Sequence, residues 1–244
     1  GAFQDDPLRM LRAIQLAGRK KLRLNPGRFA SMATHAHLIK TIAPERISTE
    51  LCKLLTAPTP STGFRIMRDA GMLPHFLPEV QAMVGVRQPS KYHTYDVFDH
   101  CMAAMDNMPA TAGNVVSQKL VAGLHDIGKP GTMTLREDGE PQFLGHDALG
   151  ADIAKDILTR LKFSAVEGYS IPVDKICHLI RHHMFSCDCD DSSRTLRRFV
   201  AKVEQKHVFA LIRLRIADRL GKGLTNTDVS EWLRFAKKIR LLRH

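Results

Sequence analysis

The stretch Leu124-His125-Asp126-Ile127-Gly128-Lys129-Pro130 decides how this chain is to be read. A histidine followed directly by an aspartate offers a divalent ion one neutral nitrogen and one anionic oxygen. An ion held that way can acidify a water and polarise a phosphoryl oxygen. Leu124 and Ile127 place the pair at the buried end of a helix. Gly128 and Pro130 should then turn the chain away and leave Lys129 free to reach an anion. One His-Asp dipeptide is common by chance, so the weight falls on further ligands.

They are present. His100 lies upstream, and His146, the pair His182-His183, and Asp218 lie downstream. The intervening chain has helical periodicity: Ile153, Ile157, Leu158 and Leu161 within 149–161, and Ile176, Leu179 and Ile180 within 175–183. Each candidate ligand therefore sits on or at the end of a different helix, which is how helical bundles build metal sites. Consecutive helical residues point about 100° apart, so His182 and His183 rarely reach one ion together. His183 continues the apolar stripe and is the inward choice, with His182 left to touch substrate or support a ligand. His35, His37, His75, His93, His178 and His207 read as surface or core-edge residues. His178 and His182, at i, i+4 spacing, could chelate a metal only adventitiously.

The order His…His-Asp…His…His…Asp on helices resembles the HD superfamily of metal-dependent phosphohydrolases. The phrases Lys91-Tyr92-His93-Thr94-Tyr95-Asp96-Val97-Phe98-Asp99-His100, Phe143-Leu144-Gly145-His146 and Leu179-Ile180-Arg181-His182-His183-Met184 resemble the HD domain of bacterial tRNA nucleotidyltransferases, the CCA-adding enzymes and related poly(A) polymerases. Near the start, Phe3-Gln4-Asp5-Asp6-Pro7-Leu8-Arg9-Met10-Leu11-Arg12-Ala13 is similar to that family's nucleotide-recognition motif, and Pro44-Glu45-Arg46-Ile47-Ser48-Thr49-Glu50-Leu51 to its next motif. The resemblance implies that His100, His125, Asp126 and Asp218 bind a metal ion, and that His146 and His183 extend the site to a second. It implies Asp126 and Lys129 as catalytic residues, Lys129 stabilising charge on phosphoryl oxygens. It further implies that Asp6, Arg9 and Arg12 bind a nucleotide, an acceptor and donors mimicking base pairing.

In that family an N-terminal head with a Gly-rich strand-turn and a metal-binding Asp-x-Asp transfers the nucleotide. This sequence opens just before the recognition motif, and its one Asp-x-Asp, Asp188-Cys189-Asp190, reads as a solvated loop. The expectation is a fragment that does not transfer nucleotides alone. Its remaining activity would be hydrolysis of 2′,3′-cyclic phosphates, 2′-nucleotides or tRNA 3′ ends, with Mn²⁺, Ni²⁺, Fe²⁺ or Mg²⁺. A histidine-rich shell disfavours Mg²⁺ alone. Two rival readings stand beside it: a silent RNA-binding body with a structural metal, and an HD hydrolase of free signalling nucleotides.

Composition bounds these readings. With 244 residues, 44% of them hydrophobic and 25% charged, the chain is ordinary for a globular protein of one large or two modest domains. No apolar run has the length to span a bilayer, and the start lacks a signal peptide's apolar core. Five cysteines without a framework suit a reducing compartment, so a cytoplasmic location is expected. Cys52, Cys101 and Cys177 read as small core fillers. The net charge of +11 points to a polyanion. Residues 191–244 hold 14 Lys and Arg against 5 Asp and Glu, with Arg194, Arg197 and Arg198 on one helix face and Arg234, Lys237 and Lys238 on another. The resemblance makes that partner tRNA or another RNA, held through phosphates rather than stacked bases.

The fold class expected is all-α: a helical neck/body at 1–88, an HD domain at 89–225 and a basic C-terminal helix at 226–244. One small hairpin is expected near 131–144, with its turn at Asp138-Gly139, shielding the metal cleft. In the first helix Asp6 reads as N-cap, Pro7 as the first helical residue and Gly18 as the stop, with Leu8, Leu11, Ile14 and Leu16 as the apolar side. Residues 46–55 and 62–70 read as helices, and 71–91 as loop.

Overall fold

The computed structural model describes every residue except 21, 90, 92, 93, 110–113, 226, 243 and 244, so His93 lies outside the described residues. The first part of the chain forms α1 (Ala2–Asp5), α2 (Leu8–Lys20), α3 (Pro26–His35), α4 (Pro44–Leu55), α5 (Ser61–Asp69), α6 (Leu73–Phe76) and α7 (Pro78–Gln81). Then come α8 (Val97–Asn107), α9 (Val115–Leu124), α10 (Lys129–Thr132), the strands β1 (Met133–Leu135) and β2 (Pro141–Phe143), α11 (His146–Arg160) and α12 (Val173–Arg181). The last helices are α13 (Ser193–Val203), α14 (Val208–Gly221) and α15 (Ser230–Leu241). The fold is all-α with one hairpin. No helix among the described residues is long and apolar enough to cross a membrane.

The centre of the molecule is α9. Its residues Val116 to Leu124 are all buried, and a helix covered on every side belongs inside a domain. Its one cation, Lys119, is satisfied by donating to the Ala57 carbonyl. Helices α4, α8, α12 and α14 pack around it, and α14 also lies along α8. Full burial of Val121 or Leu124 is worth about 1.5–3 kcal/mol each. That burial places the end of α9, where His125 and Asp126 stand, in the middle of the fold rather than at its surface.

The neck helices join the same apolar core, which runs unbroken from Phe3 to Ile239. Polar ties reinforce the join: Arg65 and Arg68 on α5 reach Asp99 on α8 at 2.9 and 3.3 Å, and Ser61 donates to Asp106. The hairpin pairs Met133 with Phe143 and Leu135 with Pro141, and Gly139 takes φ +75° in its turn.

Several expectations need correction. Pro7 precedes α2 rather than opening it, although Asp6 still accepts from the Leu8 amide at 3.2 Å. Gly18 does not stop α2, which continues to Lys20. A Cβ at Gly18 would lie 2.8 Å from Leu54 Cδ1, so the glycine serves the close crossing of α2 and α4. Leu16 is exposed, while Met10 and Gln15 are buried in its stead. The segment 71–91 is less irregular than its prolines suggest, because Pro74 and Pro78 each sit in the first turn of a short helix, α6 and α7. Of the cysteines, Cys52 and Cys101 are buried and Cys177 is half-buried.

Candidate metal centre

Five elements deliver the predicted ligands to one place. His125 caps α9 and Asp126 follows in the turn before α10. His100 lies in the first half of α8, whose N-cap Asp96 accepts from the Asp99 amide at 2.7 Å. His146 opens α11 after Gly145, at φ +76°. His183 follows the last turn of α12, and Asp218 faces inward from α14. Relative exposure is 0% for His100, 1% for His125, 2% for Asp126 and His183, 6% for His146 and 9% for Asp218.

The spacing of His125 from His146 is fixed by backbone. A Cβ at Gly128 would fall 2.2 Å from the His146 carbonyl oxygen and 2.6 Å from the Gly150 amide. Only glycine allows α11 so close to the His-Asp turn.

Asp126 stands at the middle. Its Oδ2 is 3.4 Å from His100 Nε2 and 3.3 Å from His125 Nε2, and its Oδ1 is 3.3 Å from His146 Nε2 and 3.5 Å from His183 Nε2. Asp218 Oδ1 joins the first group at 3.2 Å from His100 Nε2. Two groups of metal-ligating atoms, His100-His125-Asp126 and Asp126-His146-His183, therefore share one carboxylate.

The outer nitrogens show what these rings are prepared for. Nδ1 of His100, His125, His146 and His183 donates to the carbonyls of Gly221, Ala122, Phe143 and Ile180, at 3.1, 2.8, 2.6 and 2.7 Å. A carbonyl only accepts, so each hydrogen sits on Nδ1 and each Nε2 keeps its lone pair for the centre, as in metal-ligating histidines. The Nε2 atoms of His100 and His125 face each other at 3.2 Å, and those of His146 and His183 at 3.3 Å. Lone pairs that close repel unless a cation or a shared proton lies between them. The donor set fits a divalent transition ion.

A proton competes with a cation for the His100 nitrogen that faces the centre. Burial opposes charge on His100, but Asp126 and Asp218 prevail and draw its pKa up to about 9. Burial works against charge on Asp126 and Asp218 too. His125 and Lys129 at Asp126, and His100 and Lys222 at Asp218, outweigh it and hold both carboxyls well below the usual range. The protein alone thus gathers positive charge around these carboxylates.

Lys129 corrects the sequence reading. It is 8% exposed rather than free, and its ammonium donates to Asp126 Oδ2 at 2.6 Å and Gln88 Oε1 at 2.7 Å. Gln88 went unnoticed because its partner is 41 residues away and its own stretch reads as loop. His182 turns aside, its ring 4.5 Å from that of His178. The centre opens into a cleft of about 340 Å³. Lys129, Arg136, Arg215 and Lys222 line it, with Phe143 of the hairpin and the exposed Leu144 and Met184.

A second constellation lies on the neck. Asp6 is 3.9 Å from Arg9, 3.6 Å from Arg12 and 3.9 Å from Arg46, and Arg12 reaches Glu50 at 3.8 Å. The two early sequence motifs, 3–13 and 44–51, therefore meet in space. Of the basic residues near the C-terminus, Arg194, Arg197 and Arg198 are exposed along α13. Lys238 instead donates to the carbonyls of Cys189 and Asp191 at 2.8 and 2.7 Å, pinning that loop.

A helical domain closed around paired His/Asp triads is the hallmark of one class, and residues 91–223 match the family described as "HD domain". The chain belongs to the HD-domain family. Residues 21–83 match a second description, "Probable RNA and SrmB- binding site of polymerase A". The chain is 31% identical over 229 residues to the CC-adding tRNA nucleotidyltransferase of Thermus thermophilus, covering 88% of this chain and 49% of that protein. It is 30% identical over 245 residues to the A-adding tRNA nucleotidyltransferase of Deinococcus radiodurans, covering 98% and 54%. A Multifunctional CCA protein of Burkholderia pseudomallei is 33% identical over 165 residues, covering 66% and 39%. The chain spans about half the length of the first two of these relatives.

Proposed function

We propose that this chain is part of an enzyme of tRNA 3′-end (CCA) processing and that its HD domain hydrolyses phosphate esters with divalent metal. The observation that carries the reading is Asp126, set between two pairs of imidazoles whose Nε2 atoms lie 3.3 to 3.5 Å from its oxygens, beside an open cationic cleft. In this reading His100, His125, Asp126 and Asp218 hold one ion, and Asp126, His146 and His183 hold a second. The ion is Mn²⁺, Ni²⁺, Fe²⁺ or Mg²⁺, with the nitrogen-rich shell favouring the first three. When bound, such an ion supplies Lewis acidity toward a phosphoryl oxygen and lowers the pKa of water.

The chain's own groups do the rest. An ammonium has three N–H donors, and Lys129 spends two on Asp126 and Gln88, leaving one for a phosphoryl oxygen. Arg136, Arg215 and Lys222 add positive charge where the ester's charge grows. Leu144 and Met184 at the mouth offer apolar contact to a base or ribose. Candidate substrates are 2′,3′-cyclic phosphates, 2′-nucleotides and tRNA 3′ ends.

In the same reading residues 1–88 act as neck and body, 89–225 as the hydrolase and 226–244 as a basic helix. Asp6, Arg9 and Arg12 would meet the nucleotide in the whole enzyme, and exposed arginines of α13 the tRNA phosphates. The test is turnover of a 2′,3′-cyclic nucleotide with each metal, in parent, His125→Ala and Asp126→Ala proteins. Turnover that both variants abolish supports the proposal. Silence with every metal would favour an RNA-binding body with a structural ion. Preference for free nucleotides with no salt-dependent tRNA binding would favour a signalling hydrolase.

A further inference from the structure

A second group of histidines lies outside the HD centre. His178 lies on α12, and Glu204 and His207 lie together in the turn between α13 and α14. Their ligand atoms lie within 4.8 Å of one another. The His178 and His207 rings are 4.5 Å apart, and His182 lies on the other side of His178 at the same distance. We propose that His178, Glu204 and His207 form a distinct metal site that takes Zn²⁺ or a similar transition ion and fastens α12 to the turn between α13 and α14.

His207 carries the argument. It is 6% exposed, and its Nδ1 is enclosed with no hydrogen-bond partner. A buried polar atom without a partner is destabilising, and coordination would relieve it. The four histidines of the HD centre all satisfy Nδ1 with a carbonyl, so His207 is an exception that a ligand would explain. His178 is oriented by a carbonyl, its Nε2 donating to Val203 at 2.9 Å, which leaves Nδ1 as its lone-pair atom. Glu204 holds φ +62° although it is not glycine, and its carboxylate pairs with the exposed Lys206 at 2.8 Å.

Two imidazoles and a carboxylate are a zinc donor set. Zinc–nitrogen bonds of about 2.1 Å in a tetrahedron put ligand atoms about 3.4 Å apart, against the 4.8 Å within which these now lie. Solvent or His182 would complete the shell.

The probe is Zn²⁺ added to metal-free full chain, with bound ions counted by elemental analysis and Co²⁺ used as a tetrahedral reporter in visible absorption. Parent protein should hold one more ion than His178→Ala/His207→Ala. Glu204→Ala, at an exposed position, should weaken that ion about tenfold or more. In an Asp126→Ala background, which disables the HD centre, the extra ion and the Co²⁺ bands should persist. Equal ion counts in parent and Glu204→Ala proteins at an ion concentration near the parent's Kd would overturn the proposal. So would loss of every bound ion in Asp126→Ala protein that remains folded by circular dichroism.

Discussion

The metal centre and the Asp6 face are both polar clusters, yet they are built in opposite ways. Asp126 is 3% exposed in its side chain, and the four rings around it are each locked by a backbone carbonyl. Arg9 and Arg12 are 55% and 53% exposed, and their distances to Asp6 are loose ion-pair distances. The first cluster is organised before any ligand arrives, because disorder among buried charges would be costly. The second has its arginines at the surface, where such pairs contribute little. One region is fixed by the interior and the other is left loose at the surface.

Substitutions should separate the two. Asp126→Ala removes the carboxylate common to both triads, and cyclic-phosphate turnover should fall by about 10³-fold, several kcal/mol of transition-state stabilisation. Retention of a tenth of the rate would show that the carboxylate is dispensable and the contrast false. Gly128→Ala forces a methyl group into the His146 carbonyl and should cost about 3 kcal/mol in denaturant unfolding. An unchanged midpoint would mean that the packing behind the centre yields. Chelation should lower stability by about 2.7 kcal/mol for each ion present at 100 times its Kd, read as a shift in Tm. Arg12→Ala should change stability by no more than about 0.5 kcal/mol, while nucleotide affinity in the whole enzyme drops a few-fold. A large loss of stability there would make the neck face as organised as the metal centre.

Much of this was legible in the order of residues, and what escaped has a common cause. The candidate ligands stood out because His-Asp, His-His and Gly-His punctuate helices whose apolar periods are clear. His183 was separable from His182 because one extends a buried stripe and the other does not. Lys129 was misjudged because its environment is set by Gln88, far off in a loop. Gly18 looked like a helix stop because a close helix crossing and a C-cap use the same residue, and Leu54 alone distinguishes them. Lys238 looked like surface charge, yet the carbonyls it binds belong to a loop 47 residues earlier. His178 and His207 were dismissed individually, since nothing local joins α12 to the turn after α13. Periodicity reports which side of a helix is inward; it does not report what waits there.

The contact of Gly128 with the start of α11 has one more consequence. Because peptide meets peptide there, with no compressible side chain between them, the gap between His125 and His146 behaves as a fixed gauge. Because His125 belongs to one triad and His146 to the other, that gauge should set how far apart two ions sit on either side of Asp126, rather than the size of the seat that either ion finds.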